Sequence, residues 1–141
     1  MNNKILIVED DQDMVRAMGV RLRAQGYDLV VATDAISAVS VARKEKPDLI
    51  LLDLGLPAGD GFLVMQRLKS LLDLVLVPVI VVSARDPKVN EPLALQAGAY
   101  AFFQKPFEAP ELLSAIHSAL LKPRSVVGER NKWDALQQRG E

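Results

Sequence analysis

The sequence predicts an α/β fold, a doubly wound five-stranded parallel sheet with helices on both faces, and two observations carry that expectation. Short, solid apolar runs alternate five times with stretches whose apolar residues recur at helical spacing, and each crossover between parallel strands must return over the sheet. The runs also lack polar alternation, which marks strands covered on both faces.

Lys4 to Val8 is a run of Leu and β-branched residues that stops on Glu9, Asp10 and Asp11, so it should be a central strand. Met14, Val15, Met18 and Leu22 follow at helical spacing, with Asp11 and Asp13 as candidate caps and Gly26 as the stop. Asp28 to Ala32 gives a second strand. Thr33 or Asp34 then caps a helix with a small face (Ala35, Ala38, Val39, Ala42) that ends near Lys46-Pro47. Asp48 to Asp53 is the third strand, an apolar run that ends on a carboxylate and enters the loop of Pro57, Gly59 and Gly61.

Phe62, Met65 and Leu68 form the stripe of a third helix, with Leu72 as a candidate extension and Arg67 and Lys69 turned outward. The greasy segment Leu71 to Leu76 either lengthens that helix or makes another contact. Pro78 to Val82 is the fourth strand and leads into Ser83-Ala84-Arg85. Glu91 to Ala97 reads as a short fourth helix, because Pro92 is tolerated only in a first turn, and Gly98 stops it. Tyr100 to Gln104 is the fifth strand, and Glu108 to Leu121 the last helix, with Leu112, Leu113, Ile116 and Leu120 on one side. One domain is expected over residues 1–122. Lys122-Pro123 marks its edge, and 123–141 reads as a polar tail or linker in which a short helix could form around 129–138.

Composition narrows the function classes. With 141 residues, 50% of them hydrophobic, the chain can bury one sizeable core. Charges cancel to a formal net of -1, which argues against direct nucleic-acid binding and against attraction to an anionic membrane. The absence of cysteine removes disulfides and thiolate metal sites and is compatible with a reducing compartment. The longest apolar stretch, Leu74 to Ala84, contains Pro78 and is shorter than the roughly 18 residues a membrane span needs. A soluble, cytoplasmic protein without membrane insertion is the expectation.

Four strand ends carry marked residues: Glu9-Asp10-Asp11 after the first, Asp53 after the third, Ser83 after the fourth and Lys105 after the fifth. In a parallel sheet these ends share one edge, and the flavodoxin-like strand order 2-1-3-4-5 makes the first and third strands neighbours at the switch point, where such sheets bind ligands. Glu9, Asp10 and Asp53 should therefore converge. Three carboxylates in one crevice repel, and a hard divalent cation is the simplest resolution. Oxygen ligands, few from protein and the rest from water, suit Mg2+, with Mn2+ as a possible substitute. Lys105 as a point charge and Ser83 as a hydroxyl donor beside such an ion make a phosphoryl-transfer site.

Ile5-Leu6-Ile7-Val8-Glu9-Asp10-Asp11, Asp48 to Asp53 with Pro57 and Gly61, Pro78 to Ala84, and Gly98-Ala99 through Lys105-Pro106-Phe107 together resemble the receiver domain of two-component response regulators over about residues 3–122. The resemblance implies that Asp53 accepts a phosphoryl group from a sensor histidine kinase or phosphotransfer protein. It implies Asp10 as a direct Mg2+ ligand, Glu9 acting through water, Asp53 and the Gly55 backbone carbonyl completing the metal set, and a cis Lys105-Pro106 bond. Ser83 and an aromatic on the fifth strand, Phe102 by position, would form the switch. Ordinary strand packing is the alternative for Phe102, since Phe103 beside it is also apolar.

Two positions depart from the family pattern. Gly55 stands where a larger side chain is common, which suggests a more mobile, less shielded loop. Arg85 could reach over the site and modulate the attack of water. No charged side chain lies between Glu91 and Lys105, so that face is expected to bind a downstream effector protein or a second copy of the chain. The tail is too short for a DNA-binding output domain, which leaves a stand-alone receiver or one excised from a longer regulator. The competing reading is an Mg2+-dependent phosphohydrolase that uses an aspartyl-phosphate on small phosphate esters. Such enzymes usually carry an acid two residues after the nucleophile, where this chain has Gly55. His117 on the last helix reads as a surface residue.

Overall fold

The protein is described from a computed structural model over residues 2–122. The expected tail, including its candidate helix, lies outside the described residues. The sheet contains β1 (Lys4–Val8), β2 (Asp28–Ala32), β3 (Leu49–Leu52), β4 (Val79–Ser83) and β5 (Ala101–Gln104), all parallel, in the order β2-β1-β3-β4-β5. Burial follows the apolar runs. Every residue of β3 and β4 is buried, whereas the edge strands β2 and β5 are half-buried or exposed apart from Ala32.

Side chains alternate across a strand, so each strand contributes to two cores. Leu6, Val8, Ile50, Leu52, Val79 and Val81 pack against α2 (Ala35–Glu45), α3 (Gly61–Ser70) and α4 (Pro87–Gln96). Ile5, Ile7, Leu49, Leu51, Ile80 and Val82 pack against α1 (Gln12–Ala24) and α5 (Ala109–Leu121). Each of the first four helices begins on an aspartate. Asp11, Asp34, Asp60 and Asp86 each accept a backbone N–H from the first turn, at 3.0, 2.7, 2.8 and 3.0 Å. Such a cap stabilises a helix by about 1 kcal/mol, and it also fixes where each loop at the carboxyl edge ends.

Four expectations need correction. α4 begins at Pro87, not at Glu91, and Pro92 lies inside it. Asp86 as cap with Pro87 in the first turn is the stronger start signal and outweighs the one backbone bond that Pro92 forgoes. Leu72 does not extend α3 and is 96% exposed, because the chain leaves the helix after Ser70 and turns so that Leu74 and Val77 are buried in its place. Lys69 is half-buried rather than turned outward: its ammonium donates to the Val75 and Val77 carbonyls at 3.3 and 3.4 Å. The last strand starts at Ala101, one residue later than expected. The Lys105-Pro106 bond is cis, as the family resemblance implied.

Candidate functional site at the carboxyl edge of the sheet

Strand register builds the site. Val8 lies opposite Leu52, so the residues that follow, Glu9 and Asp53, emerge side by side, and Leu52 in turn lies opposite Val81 on β4. Both acids are buried, as is Ser83. The Lys105 backbone N–H donates to the Ser83 carbonyl at 2.8 Å, which fixes the end of β5 against β4. The Lys105 side chain then reaches back across the edge. Its Nζ is 2.5 Å from Glu9 Oε1 and 3.5 Å from Asp53 Oδ2.

Glu9, Asp10 and Asp53 each offer a carboxylate oxygen, and these oxygens lie within 4.8 Å of one another. Asp10 is exposed. The cluster has more carboxylates than its single nearby ammonium can neutralise, and the proton affinities reflect it. Burial raises the pKa of Glu9 above the ordinary 4.5, reinforced by the Asp53 charge and only partly offset by Lys105 and the Asp11 N–H. Burial alone would lower Lys105, yet its bond to Glu9 and the charges of Asp53 and Glu9 outweigh that and raise it above 10.5. A site that pushes both its acid and its base upward is short of positive charge. Oxygen-only ligands with an unmet negative charge fit a hard divalent cation, so the residues present suit the expected ion.

The loop after Asp53 is tied down by hydrogen bonds. Gly55 N–H donates to Asp53 Oδ1 at 3.1 Å, and Gly61 N–H donates to the Leu54 carbonyl at 2.9 Å. Gly61 is required by close approach, because a Cβ there would lie 2.6 Å from the Asp53 carbonyl oxygen and 2.6 Å from Leu54 Cα. Gly55 is exposed, and a Cβ there would meet nothing within 4 Å.

Ser83 Oγ accepts the Arg85 N–H at 3.1 Å. The Arg85 guanidinium does not contact Asp53. It donates from Nη2 to Asp60 Oδ2 at 2.9 Å and to the Leu54 carbonyl at 3.1 Å. Burial would raise Asp60, but the bonds from Arg85 and the Phe62 N–H together hold its carboxyl below 3.8. Asp60 is the site residue that sequence reasoning missed. Its role as a helix cap was legible next to Gly61-Phe62, but an ion pair to a residue 25 positions away was not. Phe102 and Phe103 are both half-buried and face opposite cores, Phe102 toward α4 and Phe103 toward α5. His117 is exposed.

Comparison with known proteins agrees with this geometry. Residues 5–117 match the response regulator receiver domain family. The chain is 35% identical over 120 residues to the alkaline phosphatase synthesis transcriptional regulatory protein PhoP of Bacillus subtilis (strain 168), a match covering 85% of this chain and 49% of PhoP, so the chain spans about half the length of that relative. The BeF3-activated N-terminal receiver domain of Klebsiella pneumoniae RstA superposes with a TM-score of 0.79 at 31% identity, over 85% of this chain and 100% of that one. The receiver domain of a sensor histidine kinase of Pseudomonas aeruginosa PAO1, solved with magnesium in its active site cleft, gives 0.79 at 29% identity, over 86% and 100%. Because that family match spans residues 5–117 of 141, well over half of the sequence, this chain belongs to the response regulator receiver domain family.

Proposed function

We propose that Asp53 accepts a phosphoryl group from a histidine kinase or phosphotransfer protein and that the resulting aspartyl phosphate changes which protein the domain binds. The convergence of Glu9, Asp10 and Asp53 around a lysine that cannot neutralise them carries this reading. Mg2+ would be held by Asp10, Asp53 and the Gly55 carbonyl, with Glu9 acting through water, and it would supply charge neutralisation for the phosphoryl oxygens. An Asp53 carboxylate oxygen bonds to phosphorus while the donor's imidazole nitrogen departs. Lys105, bound to Glu9 and 3.5 Å from Asp53 Oδ2, would supply its positive charge to the phosphoryl group on Asp53. The Ser83 hydroxyl donates to a phosphoryl oxygen, and Phe102 follows by repacking against α4. The size of that shift is limited by how differently these groups contact the two states.

The apolar face of α4 and β5 is the proposed partner surface. Leu93 and Leu95 are exposed there at 47% and 46%, and the sequence from Pro92 to Gln104 carries no charge. An effector protein or a second copy of the chain suits it. Among the described residues no helix is long and apolar enough to cross a membrane, and a cytoplasmic location is the proposal consistent with the donor. The phosphohydrolase reading is disfavoured by Gly55 at the acid position, so the domain's own catalysis is limited to its phosphorylation and dephosphorylation. Incubation with acetyl phosphate and Mg2+ tests the proposal. A gain of one phosphoryl mass on wild type and none on Asp53→Ala is expected, whereas rapid multiple-turnover phosphate release would favour the hydrolase.

A further inference from the structure

We infer that Arg85, anchored by Asp60, is a positioning residue for the acceptor loop: it holds the peptide between Leu54 and Gly55 in the orientation the phosphoryl site needs. The inference rests on the receiver reading of Asp53. One peptide unit is gripped at both ends. Its N–H, on Gly55, donates to Asp53 Oδ1 at 3.1 Å, and its carbonyl, on Leu54, accepts from Arg85 Nη2 at 3.1 Å. The same Nη2 is held by Asp60 Oδ2 at 2.9 Å, and the other oxygen of Asp60 caps α3 through the Phe62 N–H at 2.8 Å.

The loop needs such a grip because Gly55 provides none of its own. It is exposed, has no side chain, and a Cβ there would find no neighbour within 4 Å. A glycine samples more backbone conformations than any other residue, so an unrestrained 54–55 peptide would turn its N–H away from Asp53 for part of the time. The guanidinium suits the task, since one fixed planar fork can serve a carboxylate and a carbonyl together, which a single ammonium does with less geometric definition. The strap also reaches the other half of the edge: the Arg85 N–H donates to Ser83 Oγ at 3.1 Å, so a single residue contacts both the acceptor loop and the hydroxyl proposed to follow the phosphoryl group.

Amide NMR of the full chain, titrated with Mg2+ alone, tests this without relying on phosphoryl transfer. In Arg85→Ala the Gly55 amide should lose its hydrogen-bonded shift, and Mg2+ should bind about fivefold more weakly, the size expected for a partly exposed charge-assisted hydrogen bond. Asp60→Asn keeps a capping oxygen for α3 but removes the anchor charge, and should show a smaller change of the same kind, roughly twofold by the same reasoning. Combined with Arg85→Ala it should add little. A Gly55 amide and an Mg2+ affinity unchanged in Arg85→Ala overturn the inference, as does a global change in amide shifts, which would mean a structural role. Wild type incubated with acetyl phosphate serves as the separate control: failure to modify Asp53 sinks the receiver reading, while the Gly55 amide still reports on the strap.

Discussion

Each end of the β1–β3 pair carries an ionic cluster, and the two clusters are built to opposite specifications. At the amino end the Lys4 ammonium bonds to the Glu45 carboxylate and carbonyl at 3.3 and 3.2 Å, and the Lys4 N–H donates to Asp48 at 2.8 Å. The Lys4 and Glu45 side chains are about a third exposed, at 34% and 35%. At the carboxyl end the Glu9, Asp53 and Lys105 side chains are only 5%, 10% and 16% exposed, with the further acid Asp10 beside them. In the first, one ion pair lies about a third in water and Asp48 accepts a backbone N–H, so it closes the sheet and does little else. The second is mismatched and removed from water, where unmet charge has consequences. Ionic contacts alone therefore do not mark a site; a buried excess of one sign does.

The two clusters should differ most in their chemistry. Asp53→Ala should abolish the acetyl phosphate mass gain, and Glu45→Ala should leave it intact. Next comes metal linkage. Mg2+ at a hundredfold excess over its dissociation constant should stabilise the fold by about 2.7 kcal/mol, raising the melting midpoint by roughly 10 °C for a domain this size. Asp10→Asn should cut that increment sharply, while Lys4→Ala should leave it unchanged. The turn at Gly61 also has no room for bulk: Gly61→Ala should cost about 2 kcal/mol in denaturant unfolding, since backbone rather than a flexible side chain blocks the new methyl.

A smaller effect is the pH response of the metal-free protein. The raised pKa of Glu9 means that the folded state holds its proton more tightly than the unfolded chain does. The contribution of Glu9 to stability is thus fully present below 4.5 and is lost as pH rises through the raised folded value. Wild type minus Glu9→Gln should fall over that interval in pH-dependent melts, and a rise would contradict the burial argument. Lys105 adds no slope there, because its window lies above 10.5. Smallest of all, Lys4→Ala should cost less than about 1 kcal/mol, as solvent-screened pairs do.

Glu9, Asp10, Asp53, Ser83 and Lys105 were legible because each follows an apolar run, and parallel strands deliver their ends to one edge. Register then did the rest: pairing of Val8 with Leu52 leaves no other place for the acids that follow. The start of α4 was also written in Asp86-Pro87, but reading Pro92 as a first-turn proline hid it. Lys69 escaped because a long stem can lie along the surface and deliver its ammonium to carbonyls several residues onward.

The alternation of strands and helices and the chemical types that follow each apolar run are written in the chain, because they depend on local periodicity; alternation alone is compatible with more than one doubly wound strand order, and pairing in the folded sheet gives β2-β1-β3-β4-β5. How those groups pair is settled by the folded chain. Lys105 spans 96 residues to reach Glu9, and Arg85 turns to Asp60 and the Leu54 carbonyl rather than over Asp53. The physical reason is that a charged side chain takes the partner that best compensates its lost hydration, and that choice exists only once loops distant in sequence have been brought together.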